Sequence, residues 1–448
     1  MSQPARPARE LLDHLAPGGT PLPARAEAGP ADGPLGWPGY AATRQRAAAR
    51  SGASEAVLAR VGRVGGCEAV VLAFEFGFLG GSIGRAAGER IGAALRTARD
   101  LGLPVVSLLA SGGTRVQEGM HALTQLQVIA REMVRLRAAG LPHLAVLAGP
   151  VTGGGWATLG AGADVRLALP GVQVGFSGAR VRPGDADPTA YTAEAQAAVG
   201  QVDALVKWDE LPSAVAGWLT LLTRPARGPV PPPPPPRAVE PPSTGWEAVA
   251  RARSADRPGA RAYLAAAFDR LAPLACVDPG LLVGFGETAG GSAGFVAQLG
   301  TRTTPAGFRS ATRLFRLADR LSVPVLTLVD TPGAANDERA EREGVGAAIA
   351  ETITALAGCR VPVTTLVVGE GGSGGAVALT APDRIWVTPE SYYSVLAPEP
   401  AAAVLKRDPS DPAAVAEVAE LLRLRPQDLV AMGLARGMVG GAESDAVG

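Results

Sequence analysis

The feature that most constrains the fold is an apolar, β-branched run that enters a glycine-rich turn, Gly369–Gly375, and continues as an Ala- and Leu-rich segment. A second turn of the same kind occurs earlier, at Gly149–Ala157. Glycine permits a tight turn whose N–H groups no side chain covers, so Gly374, Gly375 and Ala376 can direct donors at an oxygen atom. The pattern is typical of an oxyanion hole.

Other elements recur in the same order around the two turns. Four landmarks match, the first at a spacing of 210 residues and the others at 220: Gly80–Gly84 with Gly290–Gly294, Leu103–Leu109 with Val323–Val329, Ala110–Gly113 with Asp330–Gly333, and Leu141–Pro142 with Val361–Pro362. Recurrence at a fixed period indicates an internal duplication. Strand, turn and helix in alternation predict an α/β layered fold.

The length of 448 residues predicts two domains. Six consecutive prolines, Pro231–Pro236, predict a stiff polyproline II spacer between them. We therefore expect a flexible N-terminal segment over 1–35, a first domain over 36–224, a Pro-rich linker over 225–243 and a second domain over 244–448.

The charges balance at 42 basic and 42 acidic residues and are interspersed, so they give no electrostatic argument for nucleic acid or an anionic membrane as a partner. Cys67, Cys276 and Cys359 stand far apart, which predicts neither a disulfide framework nor a metal site. Because no leader and no bilayer-length apolar run is evident, we expect a cytoplasmic protein.

Two oxyanion holes suit a reaction in which two oxygens become negative. In carboxyl transfer from carboxybiotin to an acyl-CoA, the biotin ureido oxygen and the thioester oxygen both gain charge, and each preorganised donor typically contributes about 3 to 4 kcal/mol. Such a reaction needs no side-chain nucleophile. The chain has only three histidines, His14, His121 and His143.

Six motifs resemble the two subunits of bacterial acetyl-CoA carboxylase carboxyltransferase, in β-then-α order over about residues 34–440. Those similar to the β subunit are Phe78–Gly84, Ser111–Gly119 and Val174–Val181, and those similar to the α subunit are Asp330–Ala334, Gly369–Ala376 and Tyr393–Glu399. The resemblance implies two tandem crotonase-like (ClpP/crotonase) spiral domains. It also implies an acyl-CoA held mainly by the first half and biotin approaching the second.

By the same resemblance, Gly153 and Gly154 match one oxyanion pair, and Gly375 with Ala376 the other, with Gly374 beside them. Which pair serves the thioester and which the ureido oxygen stays open.

The segment that contains Ser111, Gly112, Gly113 and Arg115 opens a helix. Its N-terminus could hold a CoA phosphate or pantetheine carbonyl, with Arg115 as the counter-charge. Structural capping alone is the other interpretation. Glu118 follows on the same helix, where we expect it to be solvated or ion-paired.

The resemblance implies acetyl-CoA as the favoured acyl-CoA, biotin as carboxybiotin on a separate carrier protein, a biotin carboxylase partner and a homo-oligomer. Neither Lys207 nor Lys406 lies in a Met-Lys-Met-like biotinylation site, so biotin must arrive on another polypeptide. Two departures stand out. The four-cysteine zinc ribbon common in bacterial β subunits is missing, and segment 335–339 lacks the expected Tyr-Pro-Gly.

Three other functions compete with this one. Gly371–Gly375 satisfies the G-x-S-x-G pattern of hydrolases, but no histidine follows residue 143 to complete a triad in the required order. A malonyl-thioester decarboxylase could use the same turns in reverse. The altered segment 335–339 is also compatible with an inactive crotonase-like scaffold.

Overall fold

The computed structural model describes residues 5–23 and 30–440. The chain forms two compact units, unit 1 over Met1–Thr223 and unit 2 over Arg224–Gly448. The division falls at the start of the expected Pro-rich linker. Each unit contains one mixed sheet of eight strands.

Unit 1 alternates strands and helices along the chain. Its strands are β1 (Thr20–Pro21), β2 (Val57–Val64), β3 (Cys67–Phe74), β4 (Val105–Ser111), β5 (His143–Thr152), β6 (Val165–Ala168), β7 (Val174–Gly175) and β8 (Ala204–Leu205). Its helices are α1 (Ala8–Leu15), α2 (Tyr40–Ser51), α3 (Arg85–Leu101), α4 (Gly119–Leu123), α5 (Gln125–Ala138), α6 (Gly153–Gly155), α7 (Ala193–Ala198) and α8 (Leu211–Thr223).

The strand order in unit 1 is β1-β2-β3-β4-β5-β6-β8, and β7 pairs with the end of β5. The pairs β1–β2 and β2–β3 are antiparallel, and the remaining pairs are parallel. Every residue of β4 is buried. That burial explains its continuous apolar sequence, since a central parallel strand is covered on both faces.

Unit 2 repeats this plan. Its strands are β9 (Arg270–Pro273), β10 (Leu281–Thr288), β11 (Gly291–Gln298), β12 (Val325–Thr331), β13 (Val363–Gly372), β14 (Ile385–Val387), β15 (Tyr392–Ser394) and β16 (Gly437–Met438). Its helices are α9 (Gly245–Ala252), α10 (Ala260–Ala267), α11 (Pro305–Arg320), α12 (Glu338–Arg342), α13 (Val345–Ala357), α14 (Ser373–Val377), α15 (Pro398–Val404), α16 (Pro412–Leu421) and α17 (Pro426–Ala431).

The strand order of unit 2 is β9-β10-β11-β12-β13-β14-β16, with β15 pairing with β13, which is the topology of unit 1. The strands β4 and β5 start at residues 105 and 143, and β12 and β13 start at 325 and 363, so both pairs are offset by 220 residues. The duplication predicted from the sequence is therefore present in the fold.

One of the four matched landmarks was wrong. Gly291 begins strand β11, so Gly290–Gly294 is not the counterpart of the turn Gly80–Gly84. The isolated bridges Ile83–Thr114 and Thr303–Ala334 are equivalent at the offset of 220, which makes residues 300–304 the counterpart. Backbone pairing determines this match, and the shared glycines misled the sequence comparison.

The described part of the N-terminal segment is not a flexible lead-in. Helix α1 buries Ala8, Leu11, Leu12 and Leu15 against unit 1, and β1 adds an antiparallel strand to β2. Burial of these apolar side chains, at roughly 25 cal/mol per Å², offsets the entropy of ordering the segment. Residues 1–4 and 24–29 of the predicted segment lie outside the described residues.

The Pro-rich stretch 225–243 is part of unit 2 and does not form a free spacer. Pro225 bridges to Ser292, and the carbonyl of Val230 accepts a hydrogen bond of 2.7 Å from the Thr364 hydroxyl. Val230 itself is buried among core residues of unit 2. Proline removes N–H donors but leaves carbonyls and apolar rings available for packing, which explains the difference from the prediction.

Across residues 5–23 and 30–440, no helix is both long enough and apolar enough to cross a membrane.

A buried histidine makes the stability of unit 1 sensitive to pH. His143 is 1% exposed at the start of β5; its Nε2 lies 2.9 Å from the Ser107 hydroxyl, and its Nδ1 has no hydrogen-bond partner among the described residues. Burial lowers the pKa of His143 from 6.5 to about 4. Between these two values the unfolded chain binds more protons than the folded one, so stability falls as the pH falls.

We expect this histidine to remove about 3 kcal/mol of the free energy of unfolding between pH 7 and pH 4. His143→Gln keeps an amide toward Ser107 but does not titrate. The free energy of unfolding of this variant should therefore fall less between pH 7 and pH 4 than that of the native protein, by about 3 kcal/mol. Urea unfolding at pH 7, 6, 5 and 4 measures the difference. Parallel pH curves for the variant and the native protein would contradict the prediction.

Candidate functional site

In unit 1 the predicted turn lies where β5 ends and α6 begins. Gly153 has a φ of +57°, a left-handed conformation that favours glycine. A Cβ on Gly154 would lie 2.6 Å from Leu126, and one on Gly155 would lie 2.9 Å from the Ser111 side chain. The glycines at this corner are therefore needed both for the turn and for close packing.

The amide of Gly153 donates to the carbonyl of Phe176 at 2.8 Å. This bond, to the residue that follows β7, occupies the N–H that the sequence assigned to an oxyanion, so Gly153 is not available as a donor here. Gly154 and Gly155 follow in the first turn of α6, where a helix offers no acceptor for the N–H groups. This geometry favours Gly154 and Gly155 as the donors of unit 1.

The structure brings the Ser111–Gly113 loop against this corner, and an ideal Cβ on Gly113 would lie 3.6 Å from Cα of Gly153. The loop's polar groups are bonded within the protein. Gly112 donates to the carbonyl of Gly80 at 2.8 Å, and Gly113 donates to the hydroxyl of the buried Ser111 at 3.2 Å. Contact of Ser111, Gly112 and Gly113 with a ligand stays a prediction.

Arg115 does not reach a ligand. The residue is 1% exposed, and its guanidinium donates to Glu55 at 3.0 Å and to the carbonyl of Ser82 at 2.7 Å. The predicted role as counter-charge to a CoA phosphate is therefore corrected, because burial and internal partners occupy its donors. Glu118 is ion-paired with Arg115, one of the two expected outcomes, and it is buried.

In unit 2 the corner lies between β13 and α14. Its first residue, Ser373, has a φ of +52°, which a residue with a Cβ rarely adopts. At the offset of 220, Ser373 corresponds to Gly153, and Gly374 and Gly375 correspond to Gly154 and Gly155. The two pairs assigned from the sequence are thus not equivalent positions in the fold.

Gly374 and Gly375 differ in their surroundings. A Cβ on Gly374 would meet nothing within 4 Å, whereas one on Gly375 would lie 2.4 Å from the amide nitrogen of Ala334. Gly374 therefore faces open space, and Gly375 is held against the Gly333–Ala334 backbone. Ala376 is the fourth residue of α14, where in a regular helix the amide bonds to the N-cap carbonyl. The roles of all three toward a ligand stay predictions.

An ion pair that sequence reasoning did not find lies behind this corner. Arg257 donates to both carboxylate oxygens of Asp330, at 2.7 and 2.8 Å, and the Asp330 carboxylate also accepts from the amide of Glu370. Burial raises the pKa of Asp330, and Arg257 opposes that rise. Asp330 lies in a motif, but nothing near Arg257 in the sequence indicates that the two side chains meet.

A second polar group of unit 2 joins Arg253, the residue that follows α9, to strand β13. Arg253 donates to Glu370 at 2.9 Å and pairs with Glu399, and the Tyr392 hydroxyl donates to Glu370 at 2.8 Å. These contacts hold the strand just before the glycines. In the part of the chain that the structure describes, no cluster of three or more His, Cys, Asp or Glu side chains could hold a metal ion.

Comparison with protein families matches both halves. Residues 39–203 match the carboxyl transferase domain, and residues 242–446 match the acetyl co-enzyme A carboxylase carboxyltransferase-like family. The two matches fall in separate units.

Curated relatives match most of the chain. The acetyl-coenzyme A carboxylase carboxyl transferase subunits beta/alpha of Saccharopolyspora erythraea are 36% identical over 91% of this chain and 76% of the relative. Those of Salinispora tropica are 37% identical over 88% and 75%. A biotin-dependent acyl-coenzyme A carboxylase beta3 subunit of Mycobacterium tuberculosis is 35% identical over 88% and 82%.

The fold resembles that of transcarboxylase 12S, with a TM-score of 0.79 and 22% identity over 97% of this chain and 87% of the other. This likeness shows the fold class: two tandem crotonase-like α/β units, each with a glycine corner after its fifth strand. The chain belongs to the acyl-CoA carboxyltransferase family of the biotin-dependent carboxylases.

Proposed function

We propose that this chain is the carboxyltransferase component of a biotin-dependent acyl-CoA carboxylase and that its preferred acceptor is acetyl-CoA, which gives malonyl-CoA. The observation that carries the proposal is the pair of equivalent glycine corners, one after β5 and one after β13, in a chain whose relatives are carboxyl transferase subunits beta/alpha. A carboxybiotin group on a separate carrier protein supplies the activated carboxyl group.

The chain's own contribution is electrostatic. The N–H groups of Gly154 and Gly155 in unit 1, and of Gly374 and Gly375 in unit 2, are preorganised donors for oxygens that become negative. Such donors are effective because they need no reorganisation during the reaction. The open space in front of Gly374 can accept a ligand group, while Gly375 is fixed against backbone. The family resemblance also implies Ala376, but the fourth position of α14 gives its amide an acceptor within the helix, so we do not assign it as a donor.

We further propose a homo-oligomer that works with a biotin carrier protein and a biotin carboxylase. The solved transcarboxylase 12S is described as a hexamer. Exposed apolar side chains beside both corners support an oligomer of this chain too, since Phe176 is 72% exposed and Val395 is 75% exposed. Sedimentation of the purified protein as a monomer would contradict this part of the proposal.

The test uses the reverse reaction, because it needs only the purified chain. Biotin is mixed with malonyl-CoA, methylmalonyl-CoA or ethylmalonyl-CoA, and formation of the decarboxylated acyl-CoA is followed. We expect biotin-dependent turnover, fastest with malonyl-CoA. Faster turnover of methylmalonyl-CoA or ethylmalonyl-CoA would indicate that a longer acyl-CoA, and not acetyl-CoA, is the preferred acceptor. Biotin-independent loss of CO₂ would favour the decarboxylase, and no turnover with any thioester would favour the scaffold.

A further inference from the structure

We propose that Arg115, with Glu55, Glu118 and Tyr40, forms a positioning cluster that holds the Gly112–Gly113 loop against the glycine corner of unit 1. The inference rests on the proposed function, since the corner is the part of unit 1 assigned to stabilise a negative oxygen. None of the four side chains touches the ligand. Their effect is transmitted through the loop to Gly154.

The cluster is fully internal. Arg115, Glu55, Glu118 and Tyr40 are each 1% exposed. Arg115 donates to Glu55, Glu118 and the Tyr40 hydroxyl, and that hydroxyl donates to Glu118 at 2.6 Å. These partners come from three separate segments, so the guanidinium joins the loop after β4 to α2 and to the chain just before β2.

The cluster also fixes the neighbouring turn. Glu118 accepts from the amide of Arg85 at 2.6 Å, and Arg115 donates to the carbonyl and hydroxyl of Ser82. The backbones of the two loops are then bonded together: Ile83 donates to Gly113, and Arg115 donates to Ile83. Because Gly113 packs on the Gly153 corner, movement of this pair of loops would displace Gly154.

Unit 2 provides an internal comparison. Its equivalent loops make the same backbone bonds, from Thr303 to Gly333 and from Ala335 to Thr303. The residue 220 positions after Arg115 is Ala335, and the start of α11 is held instead by Asp278, which accepts from the amide of Thr304 at 2.7 Å. The fold therefore forms these loops without a buried arginine, so the cluster of unit 1 meets a requirement beyond folding.

Burying the charges of this cluster costs free energy. Desolvation of an ion pair can exceed its Coulombic attraction, and an apolar replacement is often as stable. Burial by itself lowers the pKa of Arg115, but its bonds with Glu55 raise that pKa above the ordinary value. The planar guanidinium of arginine donates to several acceptors in fixed directions. Such a group can hold a loop in one position.

The test compares Arg115→Lys with a matched control, Arg166→Lys. Arg166 is also buried in unit 1 and pairs with Asp203, but its strand β6 pairs with β5 at Leu144–Leu147, away from the corner. Three quantities are measured for each variant: the unfolding midpoint, kcat and KM in the reverse reaction with malonyl-CoA and biotin, and amide hydrogen exchange of peptides covering 110–119 and 150–158.

We expect both variants to unfold at lower temperature, but only Arg115→Lys to lose kcat, by roughly 10- to 100-fold with KM changed less than threefold. Only that variant should exchange faster in both peptides. Equal kcat per folded molecule in the two variants, or unchanged exchange, would overturn the inference. Wild-type turnover tests the proposed function alone, and the exchange data remain decisive if that turnover is absent.

A milder variant covers the case in which Arg115→Lys does not fold. Tyr40→Phe removes one hydroxyl that bonds both Glu118 and Arg115 and leaves every charge in place. We expect a severalfold lower kcat and faster exchange in the same two peptides. Native kcat and native exchange in this variant would also overturn the inference.

Discussion

Replacing Gly374 by leucine will reduce carboxyl exchange by roughly 100-fold or more while the protein stays folded. Gly374 is exposed, has no positive φ and faces space with no atom within 4 Å of an added Cβ. The added Cβ would therefore meet no protein atom, and we expect the side chain to obstruct the approach of the proposed ligand oxygen to the amide. The reverse reaction measures the activity, and thermal unfolding measures the fold.

Gly346 of unit 2 serves as the control, and Gly375 shows the effect of a close backbone contact on stability. Gly346 in α13 is also exposed with nothing within 4 Å, so Gly346→Leu should keep both activity and stability. Gly375→Ala should lower stability by about 1 to 3 kcal/mol, because its Cβ would lie 2.4 Å from backbone that cannot move away cheaply. Full activity in Gly374→Leu would remove this corner from the reaction.

Asp330→Ala will destabilise the protein by about 3 to 5 kcal/mol, because it leaves the Arg257 guanidinium, whose side chain is only 10% exposed, without its charge partner. Asp330 is 2% exposed, and its carboxylate packs so closely behind β13 that a Cβ on Gly369 would lie 2.2 Å away. Loss of the carboxylate also leaves the amide of Glu370 without its acceptor. Urea unfolding at pH 7 measures the change.

A double-variant cycle separates the charge from the packing. Arg257→Met combined with Asp330→Leu should recover most of the loss, since apolar residues of similar size often replace buried ion pairs without penalty. The exposed pair of Arg316 and Glu351 is the control, and Glu351→Ala should leave the unfolding midpoint nearly unchanged. If Asp330→Ala is as stable as Glu351→Ala, the pair has no structural role.

Several features of the protein were determined by its sequence alone. Local patterns are sufficient for these, because a β-branched apolar run, a glycine turn and a following helix each depend on neighbouring residues. The two units, their α/β class, the duplication and the position of both glycine corners were predicted in this way, and the family followed from motifs such as Asp330–Ala334 and Gly369–Ala376. The bounds of β4 and β12 agree closely with the apolar runs.

Only the tertiary structure decided how distant residues meet. The local motif of Arg115 predicts that it binds a phosphate, but its guanidinium is buried and bonded to Glu55 and Tyr40. Arg257 and Asp330 are separated by 73 residues, and they pair because the segment after α9 brings the guanidinium to the end of β12. Likewise, the bond from Gly153 to Phe176 removes one expected donor, and the equivalence of Gly153 with Ser373 depends on strand register. Such contacts depend on how strands and helices pack, and no local pattern of residue types encodes that packing.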